Sequence, residues 1–409
     1  MRLPSFSFAA DSPIRNKPLL ILAAGHFTVD MYSGMIPVLF TAFRDKFDID
    51  LGTVGLISLA YTGMASVSQP IFGMLADRYG TRFTGFAQIW TSLLFATLGF
   101  IPSFPMLLVV AGFAGLGSGW FHPFGALNAN AVIGTAHRNT AMSMYIAGGT
   151  IGVALGPLVA AALIALFGLE GLGFTVIPGT VIGLWLLTAM RGAAVKGTPR
   201  RAAGTPKIPA YVPTGILAVI VGVMMLRQVP TIGVENFIPV WYKDMGYSAS
   251  FYSALATTVV LATAVGALGV GTLADKYGRR SVMLGTMILT VPSVWFFTEY
   301  PGNWAFLSGA CIGFLAASTS PILLVMAQQL MQGRAGAASG LILGLGFISG
   351  AVATPVFGSI ADAWGMQAAL RVLLGIVVVS IGVAWFLPTE KQIDTIVTRR
   401  QDSLATSTT

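Results

Sequence analysis

The chain has 409 residues, of which 55% are hydrophobic and only 9% charged, and its net charge is +8. Soluble domains carry about 25% charged residues, so most of this surface is not built for water. The basic residues lie in short loops between apolar runs, which speaks against a nucleic-acid surface, and the single cysteine, Cys311, excludes an internal disulfide or a cysteine-rich metal centre.

The polar stretch Met1–Lys17 holds no cleavable signal, because the apolar run that starts at Pro18 is too long for one. From there on, apolar stretches of bilayer-crossing length recur. They predict an all-α integral membrane protein with spans near 18–41, 52–75, 82–101, 105–134, 140–167 and 173–190. A second set is expected near 213–242, 249–273, 281–299, 303–331, 337–363 and 367–388. The organisation is then a tail over 1–17, a six-helix bundle over 18–190, a basic linker over 191–212, a second bundle over 213–388 and a tail over 389–409. The linker carries Arg191, Lys196, Arg200, Arg201 and Lys207 and no acid. With the N-terminus inside, nearly all loop cations fall on the inner side; only Arg44, Lys46, Lys243 and Arg371 fall outside. By the positive-inside rule both termini are cytoplasmic.

A ten-residue signature occurs twice, at Gly73-Met74-Leu75-Ala76-Asp77-Arg78-Tyr79-Gly80-Thr81-Arg82 and at Gly271-Thr272-Leu273-Ala274-Asp275-Lys276-Tyr277-Gly278-Arg279-Arg280, 198 positions apart. The same offset relates His122-Pro123 to Ser320-Pro321, and Gly152 and Pro157 to Gly350 and Pro355. The chain is therefore an internal duplication with parallel halves, which places a substrate site near mid-membrane between them. Asp77 can cap a helix or pair with a cation at an inner gate; Arg78 and Arg82 can anchor to anionic lipid, and a plain turn-and-topology role is the alternative.

The repeated loop resembles that of the major facilitator superfamily over essentially the whole chain. The resemblance implies gating roles for Gly73, Asp77, Arg78, Gly80 and Arg82, and for Gly271, Asp275, Lys276, Gly278 and Arg279. Span five contains Gly148-Gly149-Thr150-Ile151-Gly152-Val153-Ala154-Leu155-Gly156-Pro157. Its glycine face, Gly148, Gly152 and Gly156, with Pro157, resembles the antiporter motif of exporters and suits close helix packing. Val159 and Ala160 stand where that motif has further glycines. Within the superfamily, Gly25–Met31, Gly117–Pro123 and Ala327–Arg334 are similar to the fosmidomycin-resistance type of exporter, with Phe124 departing from the polar residue of some relatives.

Ionisable groups inside spans are costly and mark function. His26 and Asp30 are four apart and share a helix face. At 1.5 Å per residue Asp30 lies roughly 18 Å into a ~30 Å core. With Glu235, they are the proton-coupling candidates; a locked His–Asp structural pair is the plainer reading. Arg227, roughly 21 Å beyond Pro213, stays charged and needs an anion, supplied by substrate, Asp30 or Glu235. His122, Gln328, Asn128 and Tyr32 are further substrate-binding candidates, although such groups also join helices by hydrogen bonds. Asn130, Gln329, Tyr61, Tyr145 and Trp241 are weaker cavity candidates.

No metal-ligand cluster, nucleotide loop or catalytic constellation is visible in the sequence, so no cofactor is expected and the energy source is the proton gradient. The expected activity is secondary active transport in the inner membrane by alternating access, as a proton-coupled antiporter exporting a small organic compound. The partners are that substrate and the bilayer, with no nucleic acid, and the protein is expected to be a monomer. An uptake symporter shares the same fold; a membrane-embedded enzyme or a receptor are the alternatives of another class.

Overall fold

The computed structural model describes residues 15–132, 138–197, 213–317, 320–331 and 335–407, which form helices and turns with no strand among them. In chain order the helices are α1 (Lys17–Phe47), α2 (Leu51–Tyr79), α3 (Thr84–Thr97), α4 (Phe104–Ala131), α5 (Arg138–Phe167), α6 (Val176–Ala189) and α7 (Thr214–Asp244). They continue with α8 (Ala249–Tyr277), α9 (Arg279–Glu299), α10 (Trp304–Ala317), α11 (Ser320–Leu330), α12 (Ala335–Trp364), α13 (Met366–Ala384) and α14 (Glu390–Ser407).

Among the described residues, ten helices are long and apolar enough to cross a membrane. The expected third span is a shorter helix here. Helix α3 gives way to a 3-10 turn at Leu98–Phe100; the tenth stretch is described as α10 and α11, and residues 318–319 between them lie outside the described residues. The outward faces are apolar: Ile177, Val181, Leu184 and Trp185 on α6, and Val372, Val378 and Val379 on α13, are all exposed. A surface of this kind is stable against lipid and not against water.

The residues form two compact units, one of 1–35 with 67–202 and the other of 36–66 with 203–409. The division runs through the middle of α1 and α2, near Pro37 in the first. In the second it lies between a π turn at Leu59–Gly63 and Pro70. In the first unit, Leu19, Leu22, Val29, Phe121, Tyr145 and Leu186 form an apolar core. In the second, Met224, Val270, Met287, Leu323, Met326 and Ile342 do so, with Ile393 of α14 docked on the same cluster.

The duplication is written in the backbone as well as in the residues. Gly80 and Gly278 both take positive φ, 80° and 87°, at the ends of α2 and α8. Their amides donate to Ala76 and Ala274 at 2.8 and 3.0 Å, again 198 apart. Asp48 and Gly246 are likewise left-handed, at φ 49° and 84°, and Asp48 is the only non-glycine so placed among the described residues. Asp50 and Ser248 then cap α2 and α8, accepting from the amides of Thr53 and Phe251. The Thr53 hydroxyl and amide, both bonded to Asp50, hold its carboxyl below the usual range.

Close approach of α1 and α5 explains the glycine face. A β-carbon on Gly148 would lie 2.5 Å from Ala23 O, one on Gly152 2.1 Å from Phe27 O, and one on Gly156 2.6 Å from Met31 O. Gly34 returns the contact, 2.2 Å from Val153 O. Backbone packs on backbone here, which only glycine permits.

Within the second unit, the Phe47 end of α1 is tied to the Asp244 end of α7. Arg44 bonds Asp244 through Nη1, 2.7 Å from Oδ2, and Lys243 pairs with Asp45 and donates to Thr41 O at 3.1 Å. Asp362 of α12 accepts from the Leu51 and Gly52 amides at 2.9 and 2.8 Å, so the positive start of α2 faces a carboxylate.

Candidate functional site

Three predicted groups from two separate helices meet in the first unit. Asp30 Oδ2 lies 3.2 Å from His26 Nε2 on the same face of α1. Asp30 Oδ1 lies 3.0 Å from His122 Nε2 on α4. The carboxylate thus bridges two imidazoles whose rings stand edge to face, with centroids 5.2 Å apart. His26 is buried, and the His122 side chain, at 27% exposure, is the most open member.

The other ring nitrogens are also engaged. His26 Nδ1 lies 2.8 Å from the Tyr145 carbonyl, and His122 Nδ1 lies 2.7 Å from the Ser118 carbonyl one turn back on α4. The Tyr145 ring stacks on His26 at 4.2 Å and 19°. Gly149, one turn along α5 from Tyr145, forms the floor. A β-carbon there would sit 2.5 Å from Asp30 Oδ2 and 2.6 Å from His26 Nε2. The absence of a side chain at 149 is what leaves the triad its room.

The fold thereby assembles a group with metal-ligating atom types, its ligand atoms all within 4.8 Å of one another, that the sequence did not reveal as a cluster. Two ligands of a tetrahedral zinc-type ion sit about 3.3 Å apart, given bonds of about 2.0–2.1 Å. The nitrogen–oxygen separations of 3.0 and 3.2 Å suit direct N–H···O bonds better.

In the second unit, Arg227 of α7 is 4% exposed, and its Nη2 donates to Gln228 Oε1 at 3.0 Å with Met224 Sδ at 3.9 Å. It borders a small cavity with Pro230, Thr231, Thr290, Val294 and Ser380. The hydroxyls of Thr231, Thr290 and Ser380 donate to carbonyls of their own helices, so only their oxygen lone pairs remain for a guest. Glu235 is half-buried two turns further along α7.

The remaining candidates go elsewhere. Asn128 is fully buried and joins Thr84 Oγ1 at 2.9 Å, Thr81 and the Val195 amide, binding the first signature loop to the start of the linker. Tyr32 is buried, donates to Thr175 O at 2.8 Å and stacks on Phe95, so it belongs to the bundle core. Gln328 is half-buried on α11, and its neighbour Gln329 accepts from Arg279 at 2.6 Å. Tyr61 and Trp241 are buried.

In the first signature Gly73 lies against Pro123, Asp77 is exposed, and Arg78 and Arg82 lie over the Tyr79 and Phe83 rings. In the second, Lys276 lies over Tyr277, and the amide of Arg279 donates to Glu390 of α14. Gly271 and Asp275 lie on α8, but their side chains, like that of Asn130, fall outside the described residues, as do Arg200, Arg201, Lys207 and Arg334.

Three groups were missed as participants: Gly149, and the two ion pairs that join α1 to α7. Asp45 and Lys243 occupy repeat-related positions, 198 apart, so the offset itself was the available signal.

Known proteins agree with this architecture. The Uncharacterized MFS-type transporter YfnC of Bacillus subtilis (strain 168) is 28% identical, over 92% of this chain and 93% of its own. The Fosmidomycin resistance protein of Escherichia coli (strain K12) is 26% identical, over 91% and 93%. A bacterial homologue of the human lysosomal transporter Spinster, solved in an inward-facing and occupied conformation, matches with a TM-score of 0.77 at 15% identity, over 92% and 97%. The sequence model of the Major Facilitator Superfamily matches residues 22–255 and 232–407. The chain is a multi-pass membrane transporter that belongs to the major facilitator superfamily.

Proposed function

We propose that the protein is a proton-coupled antiporter that exports a small organic compound across the inner membrane. One observation carries the reading: a carboxylate deep in a membrane helix is bridged to two histidines, one of which reaches the surface of its unit. Acid and base groups placed inside a bilayer are the parts of a proton relay. Arg227 supplies a buried cation beside a small cavity, a subsite suited to an anionic group on the substrate. The name of the Escherichia coli relative, a resistance protein, favours export over uptake.

In this reading the chain has twelve spans in two six-helix bundles, divided by the 191–212 linker, with both termini cytoplasmic, and works as a monomer. Protonation of the triad and loading of the substrate alternate. Each stabilises one access state, and the gradient biases the exchange between them. The repeated loops at Gly80 and Gly278 act at the inner gate.

The test is transport in proteoliposomes with an imposed pH gradient. Asp30→Asn is expected to lower proton-driven export by at least about 100-fold, the scale on which a positioned proton-transfer group acts, while the variant elutes as folded protein. Undiminished gradient-driven export by Asp30→Asn rules the reading out.

A further inference from the structure

Hydrogen-bond accounting at the triad fixes how many protons it holds. Both Nδ1 atoms face backbone carbonyls, of Tyr145 and of Ser118. A carbonyl only accepts, so each Nδ1 carries a hydrogen. In a neutral ring the other nitrogen, Nε2, is then bare and presents a lone pair. Yet each Nε2 points at an Asp30 oxygen, at 3.2 and 3.0 Å. A bare nitrogen facing a carboxylate oxygen sets lone pair against lone pair, so each contact needs its own proton.

One proton on the carboxyl satisfies one contact and leaves the other unmet. We propose that the triad is a two-proton binding site, in which the two carbonyls lock the histidine tautomers so that both shared protons must be present for the triad to stay closed. The loaded site is either two imidazoliums around a carboxylate, or one imidazolium, one neutral ring and a protonated Asp30. Both arrangements carry a net charge of +1, and the emptied site carries −1. Releasing the protons opens the contacts, and the more exposed His122 is the member that swings away. Among the described residues, the titratable groups facing Asp30 are His26 from its own helix, His122 from α4 and Tyr145 from α5.

This inference deepens the antiport reading by setting its coupling at two protons per cycle, and it is tested apart from transport. The chain contains only three histidines, His26, His122 and His137. The full-length protein, labelled with 15N-histidine and 13C-aspartate, is placed in lipid nanodiscs and its NMR spectra are followed between about pH 5 and 9, the range where histidines exchange protons. His122→Gln and His137→Gln assign the signals. The expected result is Nδ1–H on both rings throughout and two further protons at the acidic end. Both of those should leave across the titration, with the His122 signal moving most. A neutral Nε2–H tautomer on either ring, or loss of a single proton, overturns the two-proton site. Because no substrate or gradient is present, that outcome leaves the antiport reading standing, whereas gradient-driven export by Asp30→Asn removes the antiport reading and not the proton count.

Discussion

Helix α1 carries His26 and Asp30; 198 residues on, α7 carries Met224 and Gln228. His122 of α4 corresponds to Ser320, and Gly149 of α5 to Phe347. Every member of the His26–Asp30–His122 triad has a neutral counterpart in the other half. Conversely Arg227 corresponds to Val29, and its guanidinium reaches Met224 and Gln228, the very counterparts of the triad residues. Duplication supplied two copies of one helical frame, and divergence left a carboxylate with two imidazoles in one and a buried guanidinium in the other. The helix contacts differ in the same way. Gly148 meets the backbone of Ala23, whereas its counterpart Gly346 meets the end of the Met224 side chain.

Four tests, made with five substitutions, break or sharpen this contrast. The largest effect is expected from Arg227→Gln. Hydrogen bonds to a charged group contribute about 1.5–3 kcal/mol, so anionic substrates should bind roughly 10- to 100-fold more weakly, with neutral ones little changed. Equal loss for both classes would show that the arginine is structural, and the division of labour between α1 and α7 would fail. Next is Gly149→Ala. Its methyl runs into Asp30 and His26, and overpacking costs about 1–3 kcal/mol. About a tenfold fall in transport is expected with the fold retained. Unchanged transport would mean the triad does not depend on that floor.

The third is a matched pair, Gly148→Ala and Gly346→Ala. The first pushes on backbone and the second on a flexible methionine, so the first should destabilise by about 1 kcal/mol more. Thermal unfolding in detergent decides it, and equal shifts would remove the difference in packing. The smallest effect belongs to Tyr145→Phe. The buried hydroxyl of Tyr145 has no hydrogen-bond partner among the described residues, whereas its carbonyl and ring face serve His26. Removing the hydroxyl should change stability by no more than about 0.5 kcal/mol and leave transport intact; a large loss would show that the hydroxyl belongs to the site.

Much of this was legible in the sequence because local rules carry it. Span length, basic loops and the 198-residue offset all follow from the bilayer and from duplication. The i, i+4 pairing of His26 with Asp30 follows from helix geometry. The union of Asp30 with His122 was not legible, since 92 residues separate them and only packing brings them together. Asn128 and Tyr32 looked like cavity groups for the reason that misleads in any membrane helix: a polar side chain there must bond to something, and a neighbouring hydroxyl or a core carbonyl serves as well as substrate. The course of the compact units through α1 and α2 was hidden too, because contact strength along a continuous helix leaves no mark in hydropathy.

The turn after α1 holds Asp48 in the left-handed conformation that glycine holds after α7. A residue with a β-carbon pays roughly 1–2 kcal/mol there, and aspartate is among the few that tolerate it. The flanking devices, a cap two residues on and cationic side chains before it, are kept in both copies. At this corner the two copies share a shape although the residue that adopts it differs. Shared ancestry within one chain can then be read from dihedral angles where residue identity has already been erased.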